Sequence, residues 1–222
     1  MKKLEKLGEA RAPDGTVLTL FRHDSAYTIR VNGVELMSTR RHNSEDALAN
    51  LVCEPLRELK AARVLIGGLG LGFTVKAALQ TLANDARIDV AELVPEVIEW
   101  NKSADYQLSA EALSNPRVKL QPIDVMKAIQ KSPGSFDAIM LDVDNGAEPL
   151  STRGNAALYK SGGIHFAVAA LRPNGRIAYW SAGDDNALET SMQQAGLKVQ
   201  RHSVRAHVTS GPYHTIYVGQ VK

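Results

Sequence analysis

Between Leu4 and Ser38 apolar and polar residues alternate with the period of two that belongs to half-buried strands. The segments Thr16–Phe21, Ala26–Val31 and Val34–Met37 carry the pattern, separated by Pro13-Asp14-Gly15, His23-Asp24-Ser25 and Asn32-Gly33. Asn-Gly between alternating segments is a strong hairpin signal, because both central residues of the tight turn need positive φ. The chain is therefore expected to open with a small antiparallel meander, residues 1–43, ahead of a main domain, residues 44–222. A helix is predicted next, from an N-cap at Ser44 to about Leu59, with Glu45 and Asp46 in its positive first turn. Ala47, Leu48, Leu51, Val52 and Leu56 give it one buried face, and Pro55 marks where it kinks or ends.

From residue 63 onward apolar runs alternate with helical patterns, which predicts a parallel sheet covered on both faces. The strands are Arg63–Ile66, Ile88–Glu92, Val118–Gln121, Phe136–Asp142 and Arg176–Trp180, with helices at about Phe73–Leu82, Pro95–Asn101, His165–Leu171 and Asp184–Ala195. Pro173-Asn174-Gly175 turns the chain into the fifth of these strands. Two further strands, Lys198–Arg205 and Thr215–Gly219, follow with no helix between them, so they must pair antiparallel. Such an ending departs from a simple doubly wound dinucleotide dehydrogenase. Asp144 to Gly163 is a long polar segment, and loops of that length in a domain commonly serve as lids or binding loops.

Composition narrows the class. At 222 residues and 44% hydrophobic, the chain can bury a substantial core, and 26 basic against 24 acidic side chains leave a formal charge of +2. That balance gives no reason to expect nucleic acid or an anionic membrane as partner. One cysteine, Cys53, excludes an internal disulfide and a multi-cysteine metal site, and fits a reducing cytoplasm. No stretch approaches the roughly 20 apolar residues of a membrane span.

The chemistry gathers where strands end. Arg63–Ile66 runs into Gly67-Gly68-Leu69-Gly70-Leu71-Gly72 and then into a helix. Gly68, Gly70 and Gly72 supply positive φ and room for a ligand against the main chain, as at a nucleotide site. Glu92 closes the second strand of this unit, where a carboxylate can accept from both hydroxyls of a ribose. Asp124 and Asp142 follow the third and fourth strands, and Asp144 stands two residues on.

Together these stretches resemble the class I S-adenosylmethionine-dependent methyltransferase fold, and within it the spermidine synthase (polyamine aminopropyltransferase) group. The resemblance covers roughly residues 26 to 219. Residues 64–72 resemble the family's glycine-rich first motif, Ala91–Glu99 its second, Ile123–Val125 the place of the acid that meets the adenine amino group, and Phe136–Asp144 the strand bearing the catalytic aspartate. It implies a Rossmann-like α/β fold with a mostly parallel seven-stranded sheet and an antiparallel last strand. It also implies S-adenosylmethionine or its decarboxylated form as co-substrate, and a homodimer; no metal is expected, because no His/Cys/Asp grouping has metal-ligand spacing. Three departures stand out. Gly70 or Leu71 occupies the place of the first motif's acid, Asp142-Val143-Asp144-Asn145-Gly146 differs from the acid-serine-serine-acid-proline signature, and Ser44–Leu48 stands where a Tyr-His-Glu stretch is usual.

A sulfonium carbon is already electrophilic, so the protein must chiefly align the acceptor and free its lone pair. A carboxylate beside an acceptor amine binds the cation and takes its proton. Asp142 and Asp144 are the candidates, and Asp142, which closes the apolar run, is favoured. Asp124 also reads as a cap for the helix starting at Val125. Arg40, Arg41 and His42 form a polar cluster suited to an acceptor carboxylate or phosphate, and Tyr159, His165, Tyr213 and His214 are further candidates for the acceptor pocket. Aminopropyl transfer to a polyamine is the leading expectation. Methyl transfer to a small molecule, favoured by the missing motif acid, and a non-catalytic nucleoside-binding protein are the alternatives.

Overall fold

The computed structural model describes residues 4–106, 108–143 and 153–221. Four strands form the amino-terminal meander: β1 (Glu5–Arg11), β2 (Val17–His23), β3 (Ala26–Val31) and β4 (Val34–Ser38), each antiparallel to the next. The Asn32-Gly33 turn has the expected pair of positive φ angles, 48° and 86°. β1 is one strand more than the three segments predicted. Its alternation is hidden because Glu5, Lys6, Glu9 and Arg11 crowd an edge strand of which Ala10 alone is buried.

α1 (Asn43–Cys53) follows, then a short 3-10 turn, Glu54–Leu56, begun where Pro55 removes a helical donor. The N-cap is His42 and not Ser44, which lies inside the helix, buried, and donates its hydroxyl to Glu45 Oε2 at 2.6 Å. Asn43, held by a bond from its amide to the carbonyl of Arg205 at 2.9 Å, starts the helix two residues early.

The main sheet contains β5 (Arg63–Gly67), β6 (Arg87–Glu92), β7 (Val118–Pro122), β8 (Phe136–Leu141), β9 (Leu171–Ser181), β10 (Leu197–Arg205) and β11 (Tyr213–Val221). Its order is β10-β11-β9-β8-β5-β6-β7. β5 to β9 are parallel, whereas β11 lies antiparallel between β9 and β10. The helices are α2 (Phe73–Thr81), α3 (Pro95–Lys102), α4 (Ala110–Leu113), α5 (Val125–Gln130), α6 (Ser161–Ala170) and α7 (Asn186–Gln194). The expected turn at Pro173–Gly175 is a bulge within β9, with Asn174 at φ 63°.

Strand alternation feeds two cores. Val64 and Ile66 of β5, with Ala138 and Met140 of β8, pack with α1, α2, α3 and the inner face of the meander, where Leu20 and Ile29 are buried. Leu65, Ile139 and Leu141 point the other way, into the core under α5, α6 and α7. The meander thus shares a core with the sheet and leans over the carboxyl ends of β5 and β8.

Candidate functional site

At those carboxyl ends a solvent-open cleft separates the meander from the sheet. Leu18, Ile29, Leu36 and Met37 form the meander wall, and Gly68, Gly70, Glu92, Asp124, Asp142 and Asn155 bring the polar groups. Loops outside the strand ends of an open α/β sheet are where ligands bind, since the strand order reverses there and the loops diverge.

Positive φ angles and close contacts shape the glycine turn. Gly68 has φ 86°, and a Cβ on it would lie 2.5 Å from the carbonyl oxygen of Asp142; Gly70 has φ 53°, and its Cβ would meet the Met37 sulfur at 2.9 Å. Gly72, at φ 79°, is the N-cap of α2 and packs against Ser109 instead of lining the cleft.

Glu92 holds the turn from below. Its Oε2 accepts from the Leu69 amide at 2.9 Å and its Oε1 from the Val94 amide at 2.8 Å. Burial pushes its pKa up, and these N–H donors oppose the shift. The Leu93 and Gly70 amides add to the same effect. Asp124 caps α5, accepting from the Lys127 amide at 3.1 Å, and also lines the cleft, so both roles read for it are compatible with its position.

Asp142 follows β8 directly and accepts from the Thr74 hydroxyl at 3.0 Å. It borders both the cleft and an adjoining compartment lined by Met37, Glu45, Leu69, Gly70, Leu71, Phe73 and Trp180. Asp144 lies outside the described residues, as does the polar segment through Thr152.

Glu45 is a candidate side chain that sequence reasoning missed. In the first turn of α1, it comes close enough to Asp142 for that charge, after desolvation, to be the second cause raising its pKa from 4.5 to about 8. A titratable group so perturbed in a cleft is a functional-site candidate. Its sequence signal, an acid in a first helical turn, is indistinguishable from an ordinary dipole-stabilising residue.

The other candidates scatter. Arg41 pairs with Glu35, and His42 stacks on Phe73 with centroids 4.0 Å apart while contacting Asp46 at 2.8 Å. His214 borders the trench beyond Glu45 with Trp180, to which its ring is tilted at 4.6 Å. Tyr159 is buried in the second core and its hydroxyl donates to the Trp180 carbonyl at 3.1 Å. His165 and Tyr213 are occupied on the surface, by Ser161 and Arg205 respectively. Among the described residues no group of three or more His, Cys, Asp or Glu side chains could hold a metal ion, and no helix is long and apolar enough to cross a membrane.

No protein-family model and no curated protein matches the chain. Solved structures do. A spermidine synthase in complex with the transition-state analogue AdoDATO superposes with a TM-score of 0.76 at 14% identity, over 98% of this chain and 72% of that one. The fold is spermidine-synthase-like. The spermidine synthase of Thermotoga maritima gives 0.73 at 13% identity over 98% and 72%, and a probable spermidine synthase of Corynebacterium glutamicum gives 0.67 at 16% over 99% and 81%. The spermidine-synthase-like architecture thus extends over the meander as well as the seven-stranded sheet.

Proposed function

We propose that the protein is an aminopropyltransferase, moving the aminopropyl group of decarboxylated S-adenosylmethionine to an amine of a polyamine. The observation that carries this reading is the pair Glu45 and Asp142 on one small compartment beside the glycine turn. Burial and then the nearby Asp142 charge keep Glu45 protonated near neutral pH, and a cation entering between the two acids offsets both. The carboxylate of intact S-adenosylmethionine would meet the same two acids unfavourably. Glu45 thereby offers an acid near the turn from a different element than the family's motif, which weakens the ground for expecting methyl transfer.

In this reading Glu92 accepts from the ribose hydroxyls, Asp124 faces the adenine amino group, and Leu18, Ile29 and Val125 flank the base. Gly68 and Gly70 let the sulfonium chain pass against main chain. Asp142, steadied by Thr74, orients the acceptor amine and takes its proton. The amine lone pair attacks the methylene carbon bound to sulfur, the C–S bond breaks, and its electron pair returns to sulfur as methylthioadenosine leaves. Asp144 is proposed as a second acid at the same site.

The test is release of methylthioadenosine from decarboxylated S-adenosylmethionine with putrescine or spermidine, followed by chromatography. Product from either acceptor supports the reading. Tighter binding of intact S-adenosylmethionine, with methylated product, would replace it by methyl transfer. Binding without turnover of any acceptor would favour the non-catalytic alternative.

A further inference from the structure

Gly72 has the backbone of a ligand-binding glycine and yet faces protein. A Cβ there would lie 2.4 Å from Ser109 Cβ, so the residue is glycine to admit Ser109. Ser109 is itself anomalous. It is the N-cap residue of α4, buried to 1% exposure, and makes no capping bond. A serine there ordinarily accepts from the first-turn amides. Its hydroxyl instead donates to Asn101 Oδ1 at 2.6 Å.

Asn101, wholly buried in the last turn of α3, donates from Nδ2 to the Gly70 carbonyl at 2.8 Å and to the Val97 carbonyl at 2.9 Å. Two carbonyls both require a donor, which fixes the amide with Nδ2 toward them and leaves Oδ1 for Ser109. Every polar atom of the side chain is thus committed, and a flipped amide would set Oδ1 against Gly70 oxygen. Lys76 of α2 ties down the same segment by donating to the Leu108 carbonyl at 2.7 Å. Gly70 lines the cleft, whereas Asn101 and Ser109 are not among its lining residues.

We infer that Ser109 and Asn101 are positioning residues for the donor: a buried relay, Ser109 to Asn101 to Gly70, holds the glycine turn in the shape that accepts the sulfonium nucleoside. The inference rests on the function proposed above. It predicts an effect larger on the donor side: Gly70 lines both the cleft and the adjoining compartment, but the acids of that compartment, Glu45 and Asp142, belong to other elements.

The experiment compares wild type, Ser109→Ala and Asn101→Asp. Calorimetry with methylthioadenosine should show its Kd rising three- to tenfold in S109A and at least tenfold in N101D. Donor KM should rise in step, with acceptor KM and kcat at saturating donor within twofold. A purely structural role would lower Tm and leave the Kd of the folded protein unchanged. Hydrogen exchange without ligand is the independent readout: protection should fall at residues 69–72 and hold in the rest of β5 and α2. If N101D does not fold, S109A carries the test. Unchanged Kd and unchanged exchange in folded S109A would overturn the relay, as would a parallel rise in acceptor KM. Failure of wild type to bind methylthioadenosine would sink the proposed donor, while exchange at the turn would still decide whether the relay exists.

Discussion

Replacing Glu45 with Gln should stabilise the protein, and increasingly so as pH rises. The carboxyl has an ordinary value of 4.5 and is raised to about 8 in the folded state, first by desolvation and then by the charge of Asp142. Between those values the unfolded chain has lost the proton that the folded chain retains, so wild-type stability falls as pH climbs from 4.5 and levels off above 8. At about 1.4 kcal/mol per pH unit the ceiling is ~5 kcal/mol. Water reaching the half-buried side chain reduces it, and about 1–3 kcal/mol is the expected gain at pH 9. Gln keeps an oxygen for the Ser44 hydroxyl, so no donor is orphaned. For a chain of this size the gain corresponds to a Tm difference of roughly 3–10 °C. Melting curves of E45Q and wild type should coincide near pH 4.5, diverge toward pH 8 and run parallel above it. Putrescine at pH 8.5 should narrow the gap by pairing with ionised Glu45. A difference that stays constant from pH 5 to 9 would refute the linkage between Glu45, Asp142 and the cation.

Three further outcomes follow from the geometry. Asp142→Asn should lower kcat/KM by about 10²–10⁴ and leave the Kd for methylthioadenosine within a few-fold, measured by steady-state kinetics and calorimetry. Gly68→Ala should cost about 2–5 kcal/mol in urea unfolding, since φ is 86° and the new Cβ would lie 2.5 Å from the Asp142 carbonyl oxygen. Arg117→Met should cost about 1–3 kcal/mol in the same assay, because Arg117 donates to the carbonyls of Leu79, Leu82 and Ala83 at the end of α2.

The parts of the molecule legible from sequence are those written in local pattern. Val64–Ile66 and Phe136–Leu141 read as buried parallel strands because both faces are covered, and the missing helix between β10 and β11 dictated antiparallel pairing. β1 escaped because an edge strand facing solvent tolerates charge at most positions. Ser44 looked like a cap by residue type, yet the anchoring of Asn43 on Arg205, 162 residues away, moved the helix start. Glu45 and Asn101 were invisible for a related reason. Their roles come from tertiary neighbours, Asp142 in one case and Gly70 with Ser109 in the other, and neither spacing nor composition encodes such meetings. Gly72 shows the converse: the motif is plain in sequence, but which of its glycines meets ligand and which meets protein is decided only by packing.

The placement of β11 has a bearing on how the chain is made. In the finished sheet β10 touches β11, and β11 touches β9. Synthesis from the amino end delivers β10 before the strand that must lie between it and β9. Until residues 213–221 leave the ribosome, the outer edge of β9 stands bare, and β10 has no strand to rest on. Bare edges invite pairing with other chains. The β10–β11 hairpin must therefore form and dock as a late unit, and nascent or truncated chains that stop short of it expose the apolar inner residues Ile177, Tyr179 and Leu197 to solvent, chaperones and one another.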